Sequence, residues 1–75
     1  EQRQKIFDEV SYRWGTARPF SSHPNAQTRW VGRWMVDTFG ITRGAARQYI
    51  RQWMDEGLLV KTYHSTARLQ GLRVG

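Results

Sequence analysis

Seventy-five residues make one small domain at most, near the lower size limit for a self-sufficient core, and with no cysteine it has neither a disulfide framework nor a Cys-containing zinc site to help it. Twelve basic side chains, ten of them Arg, stand against six acidic ones for a net charge of +6, a balance that points to a polyanionic partner with nucleic acid foremost. Apolar runs are only a few residues long, which excludes a helical membrane span and a secretory signal.

Stability must come from packing, and four Trp, three Tyr and three Phe are generous for this length. The chain opens on Glu rather than Met, which reads as a single domain over residues 1–75 excised from a longer protein, with any targeting signal lost. The bland alternative for the basic excess is a solvated surface.

Residues 1–14 read as an amphipathic helix, with Ile6, Phe7, Val10 and Trp14 on one side and Lys5, Asp8, Glu9 and Arg13 around the rest. Glu1 and Gln2 are expected to fray, and Gly15 to stop the helix. Residues 15–25 hold Gly15, Pro19, Ser21, Ser22, Pro24 and Asn25, a structure-breaking cluster. Phe20 is its one large apolar residue and is expected in the core. A very short extended piece is expected from Arg18 to Ser21, since Pro19 biases Arg18 towards extended geometry.

A second helix is expected over residues 26–39, capped by Asn25 or Ser22. Trp30, Val31, Trp34, Met35 and Thr38 form its apolar stripe, while Arg29, Arg33 and Asp37 point elsewhere. Gly32 costs such a helix roughly 1 kcal/mol relative to Ala, to be offset by close approach of a neighbouring helix. Phe39-Gly40-Ile41 then makes a tight turn, with Gly40 left-handed and Ile41 plugging the corner.

The third helix organises the chain. Thr42 is its N-cap. Ala46, Ile50 and Trp53 recur at helical spacing with Leu58 beyond, and Gly57 ends it in a left-handed conformation. Arg43, Arg47 and Arg51 follow at i, i+4 and i+8 on a neighbouring flank. Residues 58–63 are a β-rich run, 64–68 a loop, and 69–74 a second strand interrupted by Gly71, together a β-hairpin.

This order of elements is that of a winged helix-turn-helix. Gly40-Ile41-Thr42-Arg43-Gly44-Ala45-Ala46-Arg47, followed by Ile50, Trp53, Gly57, Leu58 and Leu59, resembles the recognition-helix signature of winged-helix DNA-binding domains. The resemblance runs strongly from Trp30 to Val60, moderately over the wing, and through residues 1–25 by helix order only. It implies an α+β, mainly α fold: three helices, a hairpin wing, and a very short strand near Arg18 to Ser21. A narrower resemblance, carried by Ser22-His23-Pro24-Asn25-Ala26, the helix pair and Gly71-Leu72-Arg73-Val74, is to small C-terminal domains of phage and plasmid replication ATPases.

Helix geometry and charge point to DNA apart from that resemblance. A three-residue turn sets two helices across one another, so the second can enter a groove. Its N-terminus turns free N–H groups and a positive dipole end towards phosphate. Arg47 and Gln48 are the candidates for base edges, Arg with guanine and Gln with adenine. Arg43 and Arg51 reach phosphates, and Thr42 can donate to one while capping. Gly44 and Ala45 let the backbone approach the duplex, or are small because the preceding helix packs on them. Arg29 and Arg33 touch phosphates or solvate their helix. In the wing, Lys61, His64, Ser65, Thr66 and Arg68 can straddle the backbone, with Arg68 suited to a narrow minor groove. Tyr63 stacks at the wing base or packs as a strand residue, and the four Trp are core candidates.

Catalysis, metal binding and a cofactor are not expected: His23 and His64 are far apart, no matched carboxylates accompany them, and there is no phosphate-cradling Gly-rich loop. The function expected is sequence- or structure-directed binding of double-stranded DNA in a replication or transcription-regulatory protein, helix 42–56 in the major groove and wing 61–73 on the backbone or minor groove. The alternative is a protein-interaction module in a nucleoprotein assembly. Further partners open to it are other domains of its parent protein or a second copy, and the setting expected is the cytoplasm of a prokaryote or virus-infected cell, among nucleoid-associated proteins.

Overall fold

Apolar residues from along the whole chain meet in one core: Ile6 and Val10, Phe20, Trp30, Val31 and Met35, Ala46, Ile50 and Trp53, and Leu59 and Leu72 are all buried. The computed structural model describes residues 2–75. Among them run α1 (Gln2–Gly15), a 3-10 helix (Pro24–Arg29), α2 (Val31–Phe39), α3 (Arg43–Asp55), and the antiparallel strands β1 (Leu59–His64) and β2 (Leu69–Val74). The fold is α+β and mainly helical, closed by a C-terminal hairpin. The fraying expected at Glu1 lies outside the described residues, while Gln2 is already helical.

On α1, Ile6 and Val10 sit one turn apart and are buried. Phe7 meets Trp53 of α3 edge-on, with ring centroids 5.2 Å apart. The helix stops at Gly15, as expected, although Gly15 is not the left-handed residue that closes it. The left-handed residue is Ala17 (φ 61), and Arg18 N–H donates to Arg13 O at 3.0 Å while Ala17 N–H donates to Trp14 O at 3.3 Å, the two bonds of a Schellman cap. The same motif closes α3, where Leu58 N–H reaches Trp53 O at 2.8 Å and Gly57 N–H reaches Met54 O at 3.1 Å. There the left-handed place is held by Gly57 (φ 76), as the sequence implies.

The continuous second helix is not what forms. Residues Pro24–Arg29 make a 3-10 turn kinked at Gln27 (φ 57, ψ −114), and Trp30 is extended (φ −68, ψ 128) before α2 begins. The physical reason lies at Ser21, whose N–H takes Arg29 O at 2.7 Å and whose carbonyl takes Val31 N–H at 3.1 Å. This parallel bridge between Ser21 and Trp30 claims backbone groups that an unbroken helix would pair internally. The extended piece expected from Arg18 to Ser21 is thereby reduced to a single bridge. Neither Asn25 nor Ser22 caps α2: its N-cap is Trp30, with no side-chain bond. Thr38 is exposed rather than part of the apolar stripe, and Val36 packs at the core's edge instead.

Trp30 also explains Gly32. A β-carbon there would collide with the Trp30 indole, so the close neighbour is an aromatic ring from two residues upstream, folded back over the start of α2, rather than another helix. Gly71 has a similar role. Strand β2 runs through it unbroken, and a β-carbon would lie 2.7 Å from Pro19 Cγ. That packing brings Phe20 O within 2.8 Å of Leu72 N–H, tying the 16–30 connection to the hairpin.

The turn between α2 and α3 forms as expected. Gly40 is left-handed (φ 70, ψ 19) with its N–H on Val36 O at 2.9 Å, and Ile41 packs against the core. Thr42 caps α3, its Oγ1 accepting from Ala45 N–H at 3.1 Å. The hairpin pairs Leu59 with Val74 through His64 with Leu69. Its loop is closed by Arg68 N–H on His64 O at 2.7 Å, with Arg68 left-handed (φ 59).

Candidate nucleic-acid interface

At 100° per residue, burying Ala46, Ile50 and Trp53 turns positions 44, 47, 48 and 51 to the opposite side of α3, and Gly44, Arg47, Gln48 and Arg51 are all exposed. Among the described residues, no ion pair or hydrogen bond engages the Arg47 or Arg51 side chain. Arg43 leaves this stripe, because a row at i, i+4, i+8 drifts by about 40° per step. Its guanidinium sits 5.0 Å over the Trp30 ring, a cation–π contact that anchors it beside the core. Thr42 is exposed and its Oγ1 is already engaged as the cap.

Gly44 resolves a choice that the sequence leaves open. A β-carbon there would meet nothing within 4 Å, so tight packing by α2 does not account for its small size. Gly44→Ala should therefore leave the fold intact and stabilise it by up to about 1 kcal/mol through helix propensity. If the backbone at this point approaches a duplex, the same change should weaken DNA binding. Paired denaturation and binding titrations would show the opposite signs; a gain in stability with unchanged affinity would remove Gly44 from the interface.

A groove of about 590 Å³ runs along this stripe. Gly44, Arg47, Gln48, Arg51, Met54 and Asp55 line its α3 side, and Ser22, His23 and Pro24 form the facing wall. Lys61 reaches this wall from β1, its Nζ 3.4 Å from His23 Nε2. Ser22 to Pro24 and their tie to Lys61 were not among the contact residues expected from sequence. The two ends of that tie are 38 residues apart, and no local spacing links them.

The other expected contact residues are scattered more widely. Arg33 and Arg43 line a separate cleft with Asn25, Gln27 and Thr28 on the other side of the 3-10 turn. Arg33 also pairs with Asp37 at 3.0 Å, an exposed i,i+4 ion pair of little energetic weight. Arg29 is exposed at the end of the 3-10 turn. Lys61, Ser65, Thr66 and Arg68 are exposed on the hairpin.

His64 is the exception. It is partly buried, Nδ1 accepts Ala67 N–H at 3.1 Å, and Nε2 lies 2.8 Å from Trp14 O. Nδ1 is thus the acceptor, and the ring proton on Nε2 donates to the carbonyl. The ring also meets Trp14 edge-on, centroids 4.5 Å apart. Nε2 holds the hairpin to the end of α1 and Nδ1 closes the hairpin's own loop, so neither ring nitrogen is left for an outside contact.

Charge is segregated along the chain. No acid occurs between Glu9 and Asp37, between Asp37 and Asp55, or after Glu56. Asp8 accepts from Gln4, Glu9 pairs with Arg13 at 2.7 Å, and Asp37 pairs with Arg33. Asp55 closes the far end of the groove. Trp30 and Trp53 are buried, and Trp14 and Trp34 are half-buried against other rings. The exposed large aromatics are Tyr12, Tyr49 and Tyr63, so Tyr63 stands out from β1 rather than packing. Among the described residues no three His, Cys, Asp or Glu side chains gather where a metal ion could be held, and no helix is long and apolar enough to cross a membrane.

Comparison with protein-family models, with curated proteins and with solved structures finds no match.

Proposed function

We propose that this chain is a winged helix-turn-helix domain that binds double-stranded DNA and carries out no chemistry of its own, within a replication or transcription-regulatory protein. In this reading α3 enters the major groove by its N-terminal half, Arg47 and Gln48 face base edges, Arg51 reaches a phosphate, and the hairpin follows the backbone. The observation that carries the reading is the stripe Gly44, Arg47, Gln48, Arg51: exposed, without an internal partner for either arginine, and opposite the buried face of a helix that follows a left-handed glycine turn. A solvated surface would have no need to keep Gly44 free of a side chain in open space, nor to keep acids away until Asp55. Arg68 at the hairpin tip and Arg29 beside the 3-10 turn extend the cationic surface to either side.

Salt dependence is the direct test. A protein that neutralises Z phosphates releases their counterions, so the logarithm of affinity falls against the logarithm of salt with a slope of about −0.9Z. Four or five contacts should cost on the order of 100-fold or more between about 50 and 200 mM salt. Titration of a labelled mixed-sequence duplex by fluorescence anisotropy measures this. Binding that is absent, or that ignores salt, would sink the proposal and favour a protein partner for the same face.

A further inference from the structure

His23 serves the fold through its backbone alone. Its N–H donates to Ser21 Oγ at 3.1 Å, its carbonyl accepts from Ala26 N–H at 3.0 Å, and its ring plays no part in capping the 3-10 turn that it precedes. The ring is exposed and lines the groove opposite α3, with Nε2 3.4 Å from Lys61 Nζ. An ammonium is a donor only, so Nε2 accepts and the ring proton resides on Nδ1. The imidazole Nδ1–H is thus left for a ligand on the wall that faces Arg47 and Arg51, and Lys61, behind that wall, keeps its remaining N–H groups.

A helix with its side chains is about 10–12 Å across and the major groove is about 12 Å wide. A helix seated there has a phosphate strand along each flank. One flank of α3 is walled by Ser22 to Pro24 across the groove, so a strand on that side has to run between the two. We infer that this groove is a seat for one DNA strand, in which His23 holds a backbone phosphate through Nδ1–H from the side opposite the α3 arginines. Lys61, on the other edge of the ring, orients the imidazole and reaches the neighbouring phosphate. The inference rests on the reading of α3 as the DNA-facing helix, and it adds His23 as a contact residue and pairs Lys61 with it.

The test measures duplex affinity for the unaltered chain, His23→Ala, Lys61→Ala, the double variant, and Lys5→Ala as a control that removes one exposed charge from α1. His23→Ala should weaken binding about three- to tenfold, the effect of one hydrogen bond. Lys61→Ala should do likewise and flatten the salt slope by about 0.9, the share of one phosphate. The double variant should lose less than the product of the single losses, since Lys61 acts in part through the ring that it orients. Lys5→Ala should bind as the unaltered chain does. His23→Ala and Lys61→Ala that bind normally while Arg47→Ala does not would overturn the strand seat and leave the α3 reading standing. An equal loss in Lys5→Ala would reduce the effect to net charge and overturn it too. Failure of the unaltered chain to bind any duplex would remove both readings together.

Discussion

Replacing Arg47 and Arg51 together by Ala should lower duplex affinity by about 2–4 kcal/mol, on the order of 30- to 1,000-fold. A base-edge contact by Arg47 is worth about 1–3 kcal/mol, and loss of a phosphate contact by Arg51 adds to it while flattening the salt slope by about 0.9. Both side chains are exposed and engage nothing else among the described residues, so folding should be untouched. An unchanged circular dichroism spectrum and melting temperature would establish that. The single variants should also differ in kind. Arg47→Ala should narrow the gap between preferred and non-preferred sequences, whereas Arg51→Ala should weaken all duplexes alike. A double variant that binds as tightly as the parent would sink the helix-in-groove picture whatever the salt dependence of the parent.

The largest effect on stability is expected at Trp30. Its indole is almost fully buried (1% exposed), fills the space above Gly32 and supports Arg43 from below. Trp30→Ala should cost about 3–5 kcal/mol. Against a total of roughly 5–15 kcal/mol for native domains, and with so small a core, that loss should lower the melting temperature by at least about 12 °C. Gly32 supplies an internal check. Gly32→Ala in the parent forces a β-carbon into the indole and should destabilise. In the Trp30→Ala background the ring is gone, and the same change should stabilise through helix propensity by up to about 1 kcal/mol. Chemical denaturation of the four proteins completes the cycle. If Gly32→Ala were neutral in the parent, or had the same sign in both backgrounds, the contact would not be what keeps residue 32 a glycine.

What the sequence makes legible is what local chemistry decides. Thr42 caps, Gly40 and Gly57 turn left-handed, Ala46, Ile50 and Trp53 go inward, and residues 59–74 pair as a hairpin, because each outcome depends on residues within a turn or a strand pair of one another. The segment before α2 is different. Trp30, Val31, Trp34 and Met35 satisfy a helical stripe whether or not the helix extends back to residue 26. The deciding bonds come from Ser21, eight or more residues away. Gly71 reads as a break from its lack of side chain, yet it is a strand residue made small by Pro19. His64 reads as a wing residue free to reach out, yet a contact 50 residues distant binds it to Trp14. For the site, α3's own residues were legible from its buried face. The opposite wall of its groove was not, because loop Ser22 to Pro24 and Lys61 meet only through the tertiary fold.

The bridge from Ser21 to Trp30 and the bond from Phe20 to Leu72 bear on how this surface could be transplanted. Residues 40–59 hold their own cap, turn and arginines, and so look like a cassette that another helical scaffold could accept. The wall beside them is set by a loop sewn at one end to the start of α2 and at the other to the last strand. A graft of the helix alone would carry the charges into a new protein and leave their counterpart behind; a faithful transfer must take the chain from Pro19 through Val74.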